Sequence, residues 1–212
     1  MTLVLSISLV LAYFIGSVPF AYVYGKYFRK IDIRQHGSGN VGATNVLRVF
    51  GKKAGIVVLL LDILKGYLPV MIAMHFVSPL PVLSEGFAEA LPVLVGIFAI
   101  LGHTFTVFLS FKGGKGVATS AGVFLALSPL TIACALLIFT IVVLITKYVS
   151  LGSMVAAVFL VITHLMIFLR SDSANPYIFY FAILLSLFII YKHKSNITRL
   201  IKGTENKIKF DK

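Results

Sequence analysis

A polar, glycine-rich stretch contains the first residues whose types and spacing could do chemistry. Residues 37–45 read GSGNVGATN, and Arg48 follows shortly after. Glycines let backbone amides converge on an anion, and an arginine offers phosphate a planar, bidentate charge. The stretch therefore predicts an anion site, with a flexible loop between helices as the alternative. The residues assigned to that site are Gly37, Ser38, Gly39, Asn40, Thr44, Asn45 and Arg48.

A second stretch combines glycines with two lysines. Residues 112–116 read KGGKG and come directly before an apolar run that begins at Val117. Amides at a helix N-terminus bind phosphate, whereas a basic turn that only reaches lipid headgroups needs no glycine. Upstream, His103 is either a ligand contact or a helix-packing hydrogen bond. The residues assigned to this phosphate site are His103, Lys112, Gly113, Gly114, Lys115, Gly116 and Thr119.

A third polar group follows the last apolar segment of the chain. It consists of His193, Asn196, Arg199 and Glu205. Spacings of three place the first three on one side of a helix, if the region is helical. Asn196 could instead cap a short helix that stops at Gly203, and His193 could face lipid headgroups. The spacing leaves these alternatives open, and Glu205 is expected to pair with a basic neighbour.

Common nucleotide and metal patterns do not fit this chain. Residues 37–42 match G-x-G-x-x-G, but a dinucleotide site needs a preceding strand. Leu109 stands where a P-loop needs its first glycine, and Gly116 follows Lys115 where Ser or Thr is required. The acidic residues form no tight cluster for Mg²⁺ or Zn²⁺. Neither a metal nor a cofactor is therefore expected.

The composition indicates that lipid surrounds the elements that position these residues. The chain has 212 residues, of which 59% are hydrophobic and 12% charged, with a mean hydropathy of +1.01. A soluble domain carries about 25% charged residues. Backbone groups in hydrocarbon need internal partners, and long uncharged runs without strict alternation favour helices over a barrel. An all-α integral membrane protein, a single polytopic domain over residues 1–212, is predicted.

Seven spans are predicted, with the N-terminus outside and the C-terminus in the cytoplasm. The loop 26–53 and the tail 192–212 each hold seven Lys or Arg, so both should be cytoplasmic. An even number of spans would separate them. The uncharged run 117–146 would measure about 45 Å as one helix, too long for a ~30 Å core, and Ser128-Pro129 offers the break. The spans are 2–25, 54–77, 90–111, 114–127, 129–146, 151–169 and 176–191.

One ionisable pair is expected inside the membrane. Asp62 and Lys65 are one turn apart in the second span, near its start. Mutual neutralisation near a helix end is the simpler interpretation, and a functional pair is the other.

Together the three polar stretches resemble the bacterial acyl-phosphate:glycerol-3-phosphate acyltransferase family, the PlsY type. The resemblance extends over essentially the whole chain. It rests on an early Gly16-Ser17-x-Pro19, on GSGNVGATNVLR and GHTFTVFLSFKGGKGVAT, and on HKSNITRLIKGTE near the C-terminus. Three ordered motifs of this length make it specific.

The resemblance implies transfer of a fatty acyl group from acyl phosphate to the 1-hydroxyl of glycerol 3-phosphate. The products would be lysophosphatidic acid and phosphate, in phospholipid biosynthesis, without a cofactor. The implied location is the bacterial inner membrane with the active site on the cytoplasmic face, and the implied partners are both substrates, membrane lipids and an enzyme that forms acyl phosphate. The family's important residues fall on Ser38, Arg48, Lys115 with its glycines, His193, Asn196 and Glu205.

The implied reaction gives several of these residues an expected role. Arg48 and Lys115 are expected to bind phosphate, with Ser38 and Asn40 as further donors. His193 and Asn196 would orient the acceptor hydroxyl, and either His193 or the departing phosphate would take its proton.

Other function classes fit less well. A small-anion transporter predicts glycines within the spans and repeated halves, and no internal repeat is found. A lipid-binding protein without catalysis would not need three polar clusters. Nucleic acid binding is not expected either, because the basic residues flank spans.

Overall fold

The computed structural model describes residues 2–171 and 174–208, and the regular structure within them is helical. The helical class predicted from composition is thus confirmed. Residues 209–212 of the predicted tail lie outside the described residues. The helices are α1 (Thr2–Ser17), α2 (Phe20–Val23), α3 (Ala43–Phe50), α4 (Lys52–Ile72), α5 (Glu85–Thr104), α6 (Val117–Leu127), α7 (Pro129–Thr146), α8 (Val149–Arg170), α9 (Pro176–Lys192) and α10 (Lys194–Ile201).

Short non-α turns extend two of these helices. π-helical turns continue α2 over Tyr24–Phe28 and α4 over Ala73–Val77. Two 3₁₀ turns, Ile33–Gln35 and Val107–Leu109, lie in connecting segments. The predicted loop 26–53 therefore contains a 3₁₀ turn and the whole of α3.

The helix lengths make this a multi-spanning membrane protein. Five helical stretches of the described chain are long and apolar enough to cross a bilayer: Thr2–Phe28, Lys52–Val77, Glu85–Leu109, Pro129–Thr146 and Val149–Arg170. The pair α9 and α10, bent by 58°, is a sixth candidate. Helix α6 has 11 residues, or about 16 Å at 1.5 Å per residue, which is shorter than the predicted span 114–127. A count of seven would thus depend on α6.

The predicted break at Ser128-Pro129 is a helix boundary. Helix α6 ends at Leu127, and Pro129 is the first residue of α7. Proline suits the first position of a helix because an amide there has no intrahelical acceptor. The N–H that proline lacks is therefore not needed. In addition, the Thr131 hydroxyl donates to the Ser128 carbonyl at 2.9 Å, within the first turn of α7.

The chain divides into two compact units, Met1–Leu127 and Ser128–Lys212. In the first unit, glycines let two helix pairs approach closely. Gly16 of α1 lies against the Ala99 carbonyl of α5, and Gly102 of α5 lies against the Tyr13 carbonyl of α1. Helices α4 and α6 use the same reciprocal arrangement through Gly66 and Gly122. In lipid, the hydrophobic effect does not drive helices together. Small residues at such crossings instead let the helices pack closely, and van der Waals contacts stabilise the pair.

The second unit packs α7 against α8 and α8 against α9. Gly152 of α8 lies against Val143 and Phe139 of α7. Helix α9 begins with an Asn175 cap, whose Oδ1 accepts from the Tyr177 amide at 2.9 Å. After α10, the chain returns to the start of α8, where the Ile208 amide donates to the Lys147 carbonyl at 2.8 Å.

Candidate functional site

The glycine-rich stretch 37–45 is held in place by the segment before it. Asp32 caps the 3₁₀ turn by accepting from the Arg34 amide at 3.0 Å. The Arg34 guanidinium donates to the same carboxylate at 2.6 Å and 3.0 Å. These hydrogen bonds outweigh the opposing effect of burial and lower the pKa of Asp32 to about 2. The carboxylate therefore stays ionised, and the turn keeps its cap, at any physiological pH.

Asn45 supports this stretch and does not face an anion. Its Oδ1 accepts from the Ser38 amide at 2.8 Å, and its Nδ2 donates to the carbonyls of Ile33 at 3.3 Å and His36 at 3.0 Å. The side chain is 1% exposed. Its predicted role as a donor to the ligand is thus corrected, because both of its amide protons bind backbone carbonyls.

The remaining residues of the first motif are accessible. Ser38 is exposed, and Asn40, Thr44 and Arg48 are half-buried. Thr44 and Arg48 are four residues apart on α3 and so lie on one face of it. Gly37 and Gly39 have φ of +62° and +70°, a backbone region in which glycine is favoured. The motif can thus present hydroxyl, amide and guanidinium groups together.

The second motif, residues 112–116, folds back on the end of α5. The Gly113 amide donates to the Thr104 carbonyl, and the Gly114 amide donates to the His103 carbonyl, both at 3.1 Å. These two amides are therefore engaged within the chain, and the predicted phosphate cradle is corrected for Gly113 and Gly114 alone. Both positions need glycine so that the loop can lie against the end of α5. A Cβ at Gly113 would overlap the His103 carbonyl, and one at Gly114 would overlap the His103 ring.

The cationic groups of this motif belong to the two lysines, and the start of α6 adds backbone amides. Lys112 is exposed and Lys115 is half-buried. Gly116, with φ of +84°, precedes α6. Ser120 is the residue whose amide first donates within the helix, to the Gly116 carbonyl at 2.8 Å, so the earlier amides have no intrahelical acceptor. The Thr119 side chain is fully buried, so its predicted contact with substrate is not supported.

The two motifs meet although they are distant in sequence. A Cβ built on Gly114 would come within 2.7 Å of the Val41 carbonyl and would also overlap His103 Nε2. Val41 lies in the middle of the first motif. Within the first unit, the structure thus brings the backbone of the first motif, at Val41, against the lysine loop of the second.

A buried charged cluster lies against this junction, and sequence reasoning identified only part of it. Asp62 Oδ1 is 2.8 Å from Lys65 Nζ and 3.6 Å from His103 Nδ1. The expected Asp62–Lys65 pairing is confirmed, but the pair lies in the middle of α4 and not near a helix end. The contact with His103 was missed because the two residues are on different helices. The signal available was one carboxylate and one histidine, each within a mainly apolar stretch.

The third motif lies in the second unit, at the bend between α9 and α10. His193 lies between α9 and α10, as the C-cap of the first and the N-cap of the second, and it is 3% exposed. Its Nδ1 is 2.8 Å from the Ile189 carbonyl. Since a carbonyl only accepts, Nδ1 carries the proton in the neutral ring, and Nε2 has the lone pair. The tautomer of the ring is thus set by the helix backbone.

Glu205 is the centre of a hydrogen-bond network in this unit. Its Oε1 accepts from Asn196 Nδ2 at 2.6 Å and from the Ser150 hydroxyl at 2.9 Å, and its Oε2 accepts from Arg199 Nε at 2.7 Å. Burial raises the pKa of Glu205, but these hydrogen bonds outweigh it and lower the pKa overall. The expected pairing with a basic neighbour is confirmed, and Ser150 is a member that sequence reasoning missed.

This network also answers the open question about Asn196. Asn196 and Arg199 both reach Glu205, so they share one side of α10 as their spacing predicted. Asn196 does not cap the helix, because His193 occupies that position. The helix ends just before Gly203, which has φ of +69°.

Comparisons with known proteins agree with these features. The sequence model of a family described as Glycerol-3-phosphate acyltransferase matches residues 6–203. A glycerol-3-phosphate acyltransferase of Fusobacterium nucleatum is 48% identical over 202 residues, covering 95% of this chain and 97% of its own. One from Staphylococcus haemolyticus is 46% identical over 208 residues, covering 96% and 98%.

Solved structures show the same fold. The crystal structure of PlsY (YgiH), an integral membrane glycerol 3-phosphate acyltransferase, in its glycerol 3-phosphate form matches with a TM-score of 0.83 and 37% identity, over 97% of this chain and 96% of that chain. Its lysophosphatidic acid form matches with a TM-score of 0.80 and 36% identity, over 97% and 95%. The chain therefore belongs to the PlsY-type family of integral membrane glycerol-3-phosphate acyltransferases.

Proposed function

We propose that this acyltransferase moves a fatty acyl group from acyl phosphate to the 1-hydroxyl of glycerol 3-phosphate, giving lysophosphatidic acid and inorganic phosphate. The observation that carries the proposal is the meeting of two cationic, glycine-rich motifs at Val41 and Gly114. Both substrates are phosphates, so both need cationic and neutral donors. The relative PlsY has a glycerol 3-phosphate form and a lysophosphatidic acid form, which supports this acceptor and this product.

Phosphate binding is assigned to Arg48 and Lys115. Arg48 provides a guanidinium fork that matches two phosphate oxygens, and Lys115 provides a compact charge beside the start of α6. Ser38 and Asn40 contribute neutral donors from the first motif. The exposure of Ser38 and the partial exposure of the other three support roles in which a ligand must reach them.

The chemical step is a direct transfer within a ternary complex. The glycerol oxygen attacks the acyl carbonyl, a new C–O ester bond forms, and the bond between the acyl carbon and the phosphate oxygen breaks. Acyl phosphate is already an activated anhydride, so neither a covalent nucleophile nor a metal is required. Positioning alone can contribute about 7–11 kcal/mol, and donors to the developing oxyanion add several kcal/mol more.

We assign His193 as the base that takes the proton of the acceptor hydroxyl. The contact between Nδ1 and the Ile189 carbonyl leaves the lone pair on Nε2, as a general base needs. Asn196, which Glu205 orients through its Nδ2, is assigned to the same hydroxyl. The leaving phosphate is the competing base, and the two are distinguished by substitution of His193.

The proposed topology has seven spans in the bacterial inner membrane, with the N-terminus outside and the C-terminus and active site facing the cytoplasm. It counts α6 as a short fourth span and α9 as the last. Seven basic residues in loop 26–53 and seven in the tail support a cytoplasmic location for both. An enzyme that forms acyl phosphate would supply the donor, and membrane lipid would deliver its acyl chain.

One assay tests the proposed function. Purified protein is incubated with palmitoyl phosphate and glycerol 3-phosphate, and the release of phosphate and the formation of lysophosphatidic acid are followed. We expect equal amounts of both products and none with Arg48→Ala, because phosphate binding loses its fork. Activity with palmitoyl-CoA, and none with palmitoyl phosphate, would overturn the donor assignment.

A further inference from the structure

The cluster of Asp62, Lys65 and His103 has no part in the chemistry proposed above. Their exposed fractions are 2%, 4% and 7%. One carboxylate oxygen of Asp62 faces both Lys65 Nζ, at 2.8 Å, and His103 Nδ1, at 3.6 Å. All three residues belong to the first compact unit, on α4 and α5.

Such a cluster is not explained by packing. Removing an ion pair from water is costly, and apolar residues of similar volume often replace it without loss of stability. Ionisable residues inside a membrane segment are uncommon and mark functional sites. Close packing of α4 does not need the charges, since Gly66 already brings the helix against the Thr119 carbonyl of α6.

One end of the cluster fixes the segment that leads into the first motif. Lys65 Nζ donates to the Val18 carbonyl at 2.8 Å, at the break between α1 and α2. The same ammonium lies 5.4 Å from the centre of the Phe20 ring, within range of a cation–π contact. Lys65 thus joins α4 to the chain that continues through α2 towards residues 37–45.

The other end of the cluster touches the second motif. The His103 ring lies directly against Gly114, and the His103 carbonyl accepts from the Gly114 amide at 3.1 Å. Gly114 in turn lies against the Val41 carbonyl of the first motif. A rotation or displacement of the His103 ring would therefore move the point at which the two motifs meet.

We propose that Asp62 and Lys65 are positioning residues for phosphate binding, and that they act through His103, whose ring sets the position of the Gly114 loop. The inference rests on the proposed function, because it assigns this loop and the first motif to phosphate. The Asp62 carboxylate holds the ring by its Nδ1 side, and Lys65 holds the carboxylate. The binding groups are then ordered before a ligand arrives, which reduces the entropy lost on binding.

The first test is Asp62→Asn, with Leu64→Ala as the matched control on the same helix, since Leu64 is 43% exposed. We expect KM for at least one of palmitoyl phosphate and glycerol 3-phosphate to rise fivefold or more, with a smaller change in kcat. The control should leave both KM values unchanged. A purely structural role would lower the active fraction and leave KM as it is, so two KM values that each rise less than fivefold would overturn the proposal.

A second variant keeps the test valid if Asp62→Asn does not fold. Asp62→Leu with Lys65→Met leaves no buried unpaired charge and removes the carboxylate beside His103. We expect this double variant to fold and to keep the raised KM. If it recovers the wild-type KM values, the cluster only balances its own charges, and the proposal is wrong.

A binding measurement separates this inference from the proposed function. The affinity of purified wild-type and double-variant protein for inorganic phosphate and for glycerol 3-phosphate is measured by calorimetry, without an acyl donor. We expect at least a fivefold loss for one of them, whichever acyl donor the enzyme uses. Wild-type protein that binds glycerol 3-phosphate but does not use palmitoyl phosphate refutes the donor assignment alone, whereas equal affinities of the two proteins for both ligands refute the positioning role.

Discussion

At the residue scale, some polar side chains hold the motifs in shape, and others are assigned to ligands by the proposed function. Asn45 binds three backbone groups, those of Ile33, His36 and Ser38, and Glu205 accepts from three side chains. Ser38, Arg48 and Lys115 remain accessible to differing extents. Supporting residues that fix the contact residues reduce the reorganisation needed when charge develops in the transition state.

Replacement of His193 by glutamine tests the base. The amide keeps much of the size of the ring but cannot take a proton at Nε2. General base catalysis contributes a factor of about 10²–10⁴ to the rate. We therefore expect kcat to fall more than tenfold. Turnover is measured with both substrates saturating. A variant that retains at least a tenth of the turnover would assign the proton to the leaving phosphate.

The Glu205 carboxylate predicts an acid-dependent stability. Because the folded-state pKa is lowered, its contribution is fully present above the unfolded value of about 4.3 and is lost as pH falls through the folded value. Glu205→Gln should lower Tm at pH 7 by about 4–8 °C, corresponding to roughly 2 kcal/mol. The difference from wild type should shrink below about pH 4.

Glu85→Gln is the matched control for that measurement, because Glu85 is exposed at the start of α5. Its Tm should follow that of the wild type at each pH. A Glu205→Gln deficit that is as large at pH 3 as at pH 7 would show that the carboxylate charge is not what stabilises the network.

At the element scale, hydropathy predicted the long helices well and said little about what joins them. The predicted spans 54–77 and 151–169 agree with Lys52–Val77 and Val149–Arg170 to within two residues at each end, because lipid demands uninterrupted apolar runs. Helix α3 was not predicted, since its polar and apolar residues alternate over a short length. The partners of individual amides, such as those of Gly113 and Gly114, depend on tertiary contacts that no local pattern contains.

The same limit applies to the candidate site. Glycines and cations at fixed spacing were enough to predict the motifs, because few other roles require both. Asp62 and His103 belong to different helices, and nothing in either local sequence predicts that they meet. Ser150 was missed for the same reason, because its partner Glu205 lies beyond the end of α10.

The glycine crossings make a prediction about helix packing. A side chain at Gly66 would overlap the Thr119 carbonyl, so Gly66→Val should force α4 and α6 apart. Overpacking costs about 1–3 kcal/mol, and we expect Tm to fall by about 5 °C or more. Leu64→Ala, at an exposed position one half-turn away, should change Tm by less than about 2 °C. Equal effects of the two substitutions would contradict the close crossing.

At the scale of the whole molecule, the proposed reaction depends on which side of the membrane each motif faces. The two motifs of the first unit meet at Val41 and Gly114, while the third motif lies in the second unit. A reaction between two phosphates in one ternary complex requires all three to be reached from the same compartment. The proposed topology places all of them on the cytoplasmic side, as the distribution of lysine and arginine predicts.

The most direct test labels single cysteines from one side of the membrane. Cys134 is the chain's one cysteine, so a Cys134→Ala background carries Lys112→Cys, Lys202→Cys or Val82→Cys, each at an exposed position. In intact cells, an impermeant maleimide should label Val82→Cys alone, and permeabilisation should add the other two. If the cysteines at 112 and 202 were labelled from opposite sides, the motifs could not share substrates, and the proposed reaction would be excluded.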